Sequence, residues 1–153
     1  METSVAERFT TFVEDVGARV RQALITAYGP EVGAEATAEA FAYAWEHWER
    51  VGMMENPAGY LYRVGQSKSR RYLRWPVVLP VVPDSAQPWV EPGLPGALRR
   101  LSEQQRMTVL LCHGFSWTRT EVADLLGINA STVQRHLDRA MTKLRKGLGV
   151  DDA

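Results

Sequence analysis

A chain of 153 residues, 45% hydrophobic and 24% charged, has room for one domain or two small ones with an ordinary globular core. Its formal net charge is zero, so bulk charge does not announce nucleic acid. The single cysteine, Cys112, excludes an intrachain disulfide and suits a reducing cytoplasm.

Near the amino terminus stand Glu2, Glu7 and Arg8, with no apolar signal core. Phe9, Phe12, Val13, Val16, Val20, Leu24 and Ala27 then recur at three- and four-residue spacing, which predicts an amphipathic helix. "YGPE" at Tyr28 to Glu31 breaks it. A second helix is expected from about Glu35, with Ala40, Phe41, Ala44, Trp48 and Val51 on one face. In "MENPAGY", Asn56 caps a third helix and Pro57 takes its first position, where the missing N–H costs nothing. That helix should run to about Trp75.

The stretch "WPVVLPVVPDSAQPWVEPGLPG", Trp75 to Gly96, holds six prolines and two acids but no base. Proline density excludes helix there, and a semi-rigid linker of extended character is expected. It contains the longest apolar run, "VVLPVVP", which is too short and Pro-broken to span a bilayer. Leu98, Leu101, Met107, Leu110 and Leu111 restart helical periodicity, and Ser102 with Gln105 fits a capping box. The fold class is therefore all-α: two small helical domains, residues 1–75 and 97–153, joined by a Pro-rich linker at 76–96. A soluble intracellular protein is expected.

Charge is segregated along the chain. Arg63, Lys68, Arg70, Arg71 and Arg74 form one basic segment without an acid. Arg135, Arg139, Lys143, Arg145 and Lys146 form a second against Asp138 alone, while acids gather between Glu31 and Glu55. This distribution suggests two nucleic-acid contacts and one different surface.

The second basic segment lies in "EVADLLGINASTVQRHLDRAMTKLRKGLG". Val122 and Leu126 face inward from a supporting helix, and Ala123 is small where two helices would cross. Gly127 supplies the left-handed turn, Ile128 plugs it and Asn129 caps the next helix. Val133, Leu137, Ala140, Met141 and Leu144 make one stripe; Ser131, Thr132, Arg135, Arg139 and Lys146 lie opposite, with Gln134 at the flank. A recognition helix needs both faces, one to anchor and one to offer hydrogen bonds to base edges and phosphates. The alternative is a solvated helix in a hairpin that ends at a glycine. The coincidence of small residue, Gly, plug, cap, stripe and basic face favours DNA.

The third helix interleaves rings and bases in "YLYRVGQSKSRRYLRW". Leu61 and Val64, with Tyr60 or Tyr72, can pack inward while the bases track a phosphate backbone. Rings that stack on bases beside cations that neutralise phosphates suit unstacked strands. An amphipathic helix with snorkelling Arg side chains fits the same pattern.

Together, "EATAEAFAYAWEHW", "NPAGYLYRVGQSKSRRYLR", the linker and "LRRLSEQQRMTVLLCHGFSWTRTEVADLLGINASTVQRHLDRAMTKLR" resemble a bacterial sigma factor of the short, two-domain extracytoplasmic-function group. The resemblance spans roughly Phe9 to Leu148. It implies a non-enzymatic promoter-specificity subunit without cofactor, which binds core RNA polymerase and promoter DNA and which an anti-sigma factor can regulate. It implies that the second helix meets the polymerase β′ clamp helices through Glu35, Glu39, Tyr43, Glu46 and Trp48. It implies that Tyr60, Arg63, Ser67, Lys68, Arg70, Arg71 and Arg74 open and read the −10 element. The carboxy-terminal domain would read the −35 element with Arg119, Ser131, Thr132, Gln134, Arg135, Arg139 and Lys143 and touch the β flap. The linker would thread toward the active-site and RNA-exit channel. Departures stand at Glu35-Ala36-Thr37-Ala38-Glu39, where the family usually shows Asp-Leu-Val-Gln-Glu. Others are Ser67 and Arg71, where Asn and Asp are frequent, and Lys68, where an apolar residue is usual.

Other chemistry finds little support. Cys112 and His113 are neighbours about 100° apart on a helix, which does not make a nucleophile–base pair, and Cys112 reads as a small core residue. His47, His113 and His136 are isolated, so no metal site is expected. Trp45, Trp48 and Trp117 read as core, with Trp48 beside acids a candidate for an interface. Two rival functions stay open: a helix-turn-helix regulator that acts without polymerase, and a sigma-derived protein-interaction module.

Overall fold

The computed structural model describes residues 3–69 and 92–150. Eight α-helices and one π-helical turn occupy them, with no strand among the described residues. The chain forms two compact units, Met1–Val77 with Asp124–Gly127, and Val78–Ala123 with Ile128–Ala153. The all-α class expected from the sequence is what the structure has.

In the first unit, α1 (Val5–Tyr28) starts at a capping box in which Ser4 and Glu7 satisfy each other's backbone N–H groups. It ends at Gly29, whose φ of 88° turns the chain so sharply that Pro30 opens α2 (Pro30–Glu46) at once. The second helix therefore begins earlier than expected, because Pro30 serves as an N-terminal residue as well as a break. At His47 the backbone leaves helical angles, and a single turn, α3 (Trp48–Val51), follows where one continuous helix was expected. Asn56 accepts the Gly59 N–H at 3.0 Å and so caps α4 (Pro57–Ser69) as expected. The expected extension of this helix to Trp75, and the linker as far as residue 91, lie outside the described residues.

Helices α1, α2 and α4 pack mutually. Their contact is close because α2 presents Gly33, Ala36, Ala40 and Ala44, all buried, along one stripe. A Cβ on Gly33 would lie 2.5 Å from the Ile25 Cα, and one on Gly65 2.6 Å from the Leu24 side chain. Val20, Leu24, Val51, Leu61 and Tyr62 fill the centre. Tyr62, rather than Tyr60, is the buried ring of α4. Towards the start of α1, Phe9 and Phe12 meet Trp48 with ring centroids 5.3 and 5.0 Å apart. Trp45, expected in the core, is instead 49% exposed and meets only the edge region of this group through Phe9.

The second unit begins with α5 (Leu94–Arg99), which carries Pro95 in its first turn. Residues 94–96 are thus helical rather than linker, since proline costs nothing before the first internal hydrogen bond. Ser102 and Gln105 form the expected capping box of α6 (Glu103–Val109). A π-helical turn, Leu110–Gly114, follows, closed by the Phe115 N–H on the Leu110 carbonyl at 3.1 Å. Helix α7 (Arg119–Leu126), whose residues from Asp124 on belong to the first unit, and α8 (Ala130–Gly147) follow, with α5 and α6 packed on α8. Ala97, Leu101, Val109, Ala140 and Leu144 form one core cluster, bordered by Leu137 and Met141.

Candidate nucleic-acid interface

The geometry of the second basic segment follows from its sequence. Val122, Ala123 and Leu125 are buried on α7, while Leu126, expected inward, is half-buried. Gly127 has φ +68°, and the Ile128 N–H bonds the Ala123 carbonyl at 3.1 Å. Only glycine adopts that angle without strain. Asn129 then accepts from the Thr132 N–H and the Thr132 hydroxyl, both at 2.8 Å, and from the Ser131 hydroxyl at 2.7 Å. Val133, Ala140 and Leu144 anchor α8.

This packing leaves Ser131, Arg135, Arg139 and Lys143 exposed, with Thr132 and Gln134 half-buried. Exposed Arg119 begins α7 and donates to Gln134 Oε1. Gln134 Nε2 donates to Asp138 at 2.8 Å. Lys143 Nζ donates to Gln105 Oε1 at 3.1 Å, beside an open pocket lined by Gln105, Asp138, Arg139, Thr142 and Lys143. The seven residues expected to serve the −35 element therefore all belong to α7 and α8. Arg119 and Gln134 are bonded to each other; Thr132 and Ser131 are tied to the helix cap.

In the first unit, Arg63 and Ser67 are exposed on α4 and Lys68 is half-buried. Arg70, Arg71 and Arg74 lie outside the described residues. Tyr60 is bound into a group that sequence reasoning missed. Its hydroxyl meets that of Tyr43 at 3.1 Å, and Arg50 Nη2 donates to Tyr43 at 2.5 Å and to Tyr60 at 3.1 Å. The Tyr43 hydroxyl and burial hold the Tyr60 phenol above its ordinary value, while Arg50 and Arg63 pull it down. His47 stacks on Tyr43 with centroids 4.1 Å apart. No signal in the sequence joins Arg50 to these rings, because the break at His47 sets its direction.

On α2, Glu35 and Glu46 are exposed, and Glu39 and Tyr43 are half-buried. Tyr43 is occupied by the Arg50 group and Trp48 by Phe9 and Phe12, so neither ring stands alone on the surface. Among the described residues no His, Cys, Asp or Glu group could hold a metal ion, and no helix is long and apolar enough to cross a membrane.

Residues 94–144 match the family model of sigma-70, region 4. The solved structure of the sigma factor RpoE in complex with the anti-sigma factor NepR, from Bartonella quintana, is similar with a TM-score of 0.67. Identity is 17%, covering 94% of this chain and 98% of that one. The structure of CnrH in complex with the cytosolic domain of CnrY is similar with a TM-score of 0.61 and 22% identity, covering 94% and 89%. No curated protein matches in sequence. The fold is that of an extracytoplasmic-function sigma factor. The resemblance drawn from the sequence is borne out at the level of the fold, and the region 4 match takes in α5, α6, α7 and most of α8.

Proposed function

We propose that this chain is a promoter-specificity subunit that directs core RNA polymerase, and is not itself an enzyme. The observation that carries this reading is a helix-turn-helix within a region 4 match, in a chain whose whole fold is that of a sigma factor. A lone regulator would need two copies to reach two half-sites. Two different helical units on one polymerase gain effective concentration from their tether instead.

In this reading Ser131, Thr132, Gln134, Arg135, Arg139 and Lys143, with Arg119, face the −35 duplex. Tyr60, Arg63, Ser67 and Lys68, with Arg70, Arg71 and Arg74, hold the opened −10 strand. Glu35, Glu39 and Glu46 give α2 an acidic edge for the β′ clamp helices, with Tyr43 and Trp48 shaping its end; region 4 meets the β flap. The domain limits 1–75 and 97–153 fit these roles, with residues 94–96 joining the second domain. The similar RpoE and CnrH structures contain a bound anti-sigma factor and the cytosolic domain of CnrY, which supports a regulatory protein partner here as well. A cytoplasmic location follows from work on the chromosome.

The test is footprinting of core polymerase on promoter DNA with and without this chain. Protection of an upstream duplex element together with permanganate-reactive thymines downstream supports the proposal. Duplex protection by the chain alone, unchanged by core, would favour the regulator reading.

A further inference from the structure

The carboxamide of Gln134 lies between two groups that can each play one role only. Arg119 donates through Nη1 to its Oε1, and its Nε2 donates to Asp138 Oδ1 at 2.8 Å. A guanidinium has no acceptor and an ionised carboxylate has no donor. The amide therefore has one orientation, with oxygen toward α7 and nitrogen toward the following turn of α8. Each end keeps further capacity: a second lone pair on Oε1 and a second N–H on Nε2. Side by side, these match the N6 amino donor and N7 acceptor of adenine in the major groove.

Orientation decides more than base type. An A·T pair and a T·A pair present the adenine edge in opposite directions along the groove. A freely turning amide can adapt to both; one held at both ends accepts one of them. We propose that the Arg119–Gln134–Asp138 relay makes Gln134 a strand-specific adenine reader, with Arg119 and Asp138 as positioning residues. This rests on the reading of α8 as the DNA-facing helix. Asp138 also gains a reason to stand as the lone acid in this basic segment.

The experiment is selection from a randomised duplex library by the full chain, alone and with core polymerase, followed by sequencing. The wild type should enrich adenine on one strand at one position, by roughly tenfold over thymine. Gln134→Ala should erase that preference and leave the other positions intact. Asp138→Asn should bring A·T and T·A closer to parity at that position alone; Arg119→Ala should do the same there, together with the general weakening expected when a cation facing the duplex is lost. Asp138→Asn keeps the side-chain shape, and its amide releases the lock because it both donates and accepts. Arg119→Lys, still a pure donor, should retain the preference. An unchanged preference for A·T over T·A in both variants, or a uniform loss at every position in Asp138→Asn, overturns the relay and leaves DNA reading by α8 standing. A wild type that enriches no sequence in either condition overturns the reading of α8 and the relay with it.

Discussion

Lys143 Nζ donates to Gln105 Oε1 at 3.1 Å, so a basic residue of α8 is tied to the capping box of α6. The same oxygen accepts the Ser102 N–H at 3.2 Å. One side chain thus fixes the start of α6 and steadies α8.

Gln105→Ala should therefore destabilise the second unit by about 1–2 kcal/mol, since it removes a buried acceptor from two donors. Lys143→Ala should cost much less, because the amine remains exposed to water. Guanidinium unfolding followed by circular dichroism compares the two.

Two glycines should fail for different reasons. Gly33→Ala would drive a methyl to 2.5 Å from backbone of α1, so α1 and α2 must part; a loss of about 3 kcal/mol or more is expected. Gly127→Ala meets nothing within 4 Å, and its cost comes from φ +68° alone, about 1 kcal/mol. Thermal unfolding should rank them in that order.

Burial pushes the Cys112 thiol above its ordinary value, with Arg119 opposing and Glu121 adding to the shift. The folded chain then holds this proton more tightly than the unfolded one. Stability from this group is present below the unfolded thiol value of about 8.5 and is lost as pH rises above it. Cys112→Ala should flatten that alkaline decline in unfolding free energy measured against pH. Alkylation of Cys112 at neutral pH should also be slower than that of a free thiol.

Arg135 is exposed on α8. Arg135→Ala should leave the thermal unfolding curve in place, yet lower promoter-dependent transcript by roughly tenfold, the scale of one base contact. Full transcript yield from the folded variant would remove Arg135 from the interface.

What could be read in the sequence was local. The caps at Asn56, Ser102 and Asn129 and the turn at Gly127 each depend on residues three or four positions apart, and all four form. The stripe of α8 was legible because Val133, Ala140 and Leu144 recur at helical spacing and all three are buried. Features set by tertiary packing were not. The break at His47 interrupts an unbroken apolar period, and it redirects Arg50 toward Tyr43 and Tyr60. Proline misled twice, at Pro30 and Pro95, because a helix start and a helix break share one residue type. Between Tyr60 and Tyr62, and between Leu125 and Leu126, periodicity alone does not choose the buried member. The Arg119–Gln134–Asp138 relay was hidden for a similar reason: it joins two helices across a turn.

The most direct measurement is reconstituted transcription from a promoter library with purified core polymerase. With this chain added, transcripts should start at selected sites that share two spaced elements, and core alone should give no such selection. Failure of the folded chain to bind core polymerase, with transcript starts unchanged by its addition, would contradict the account.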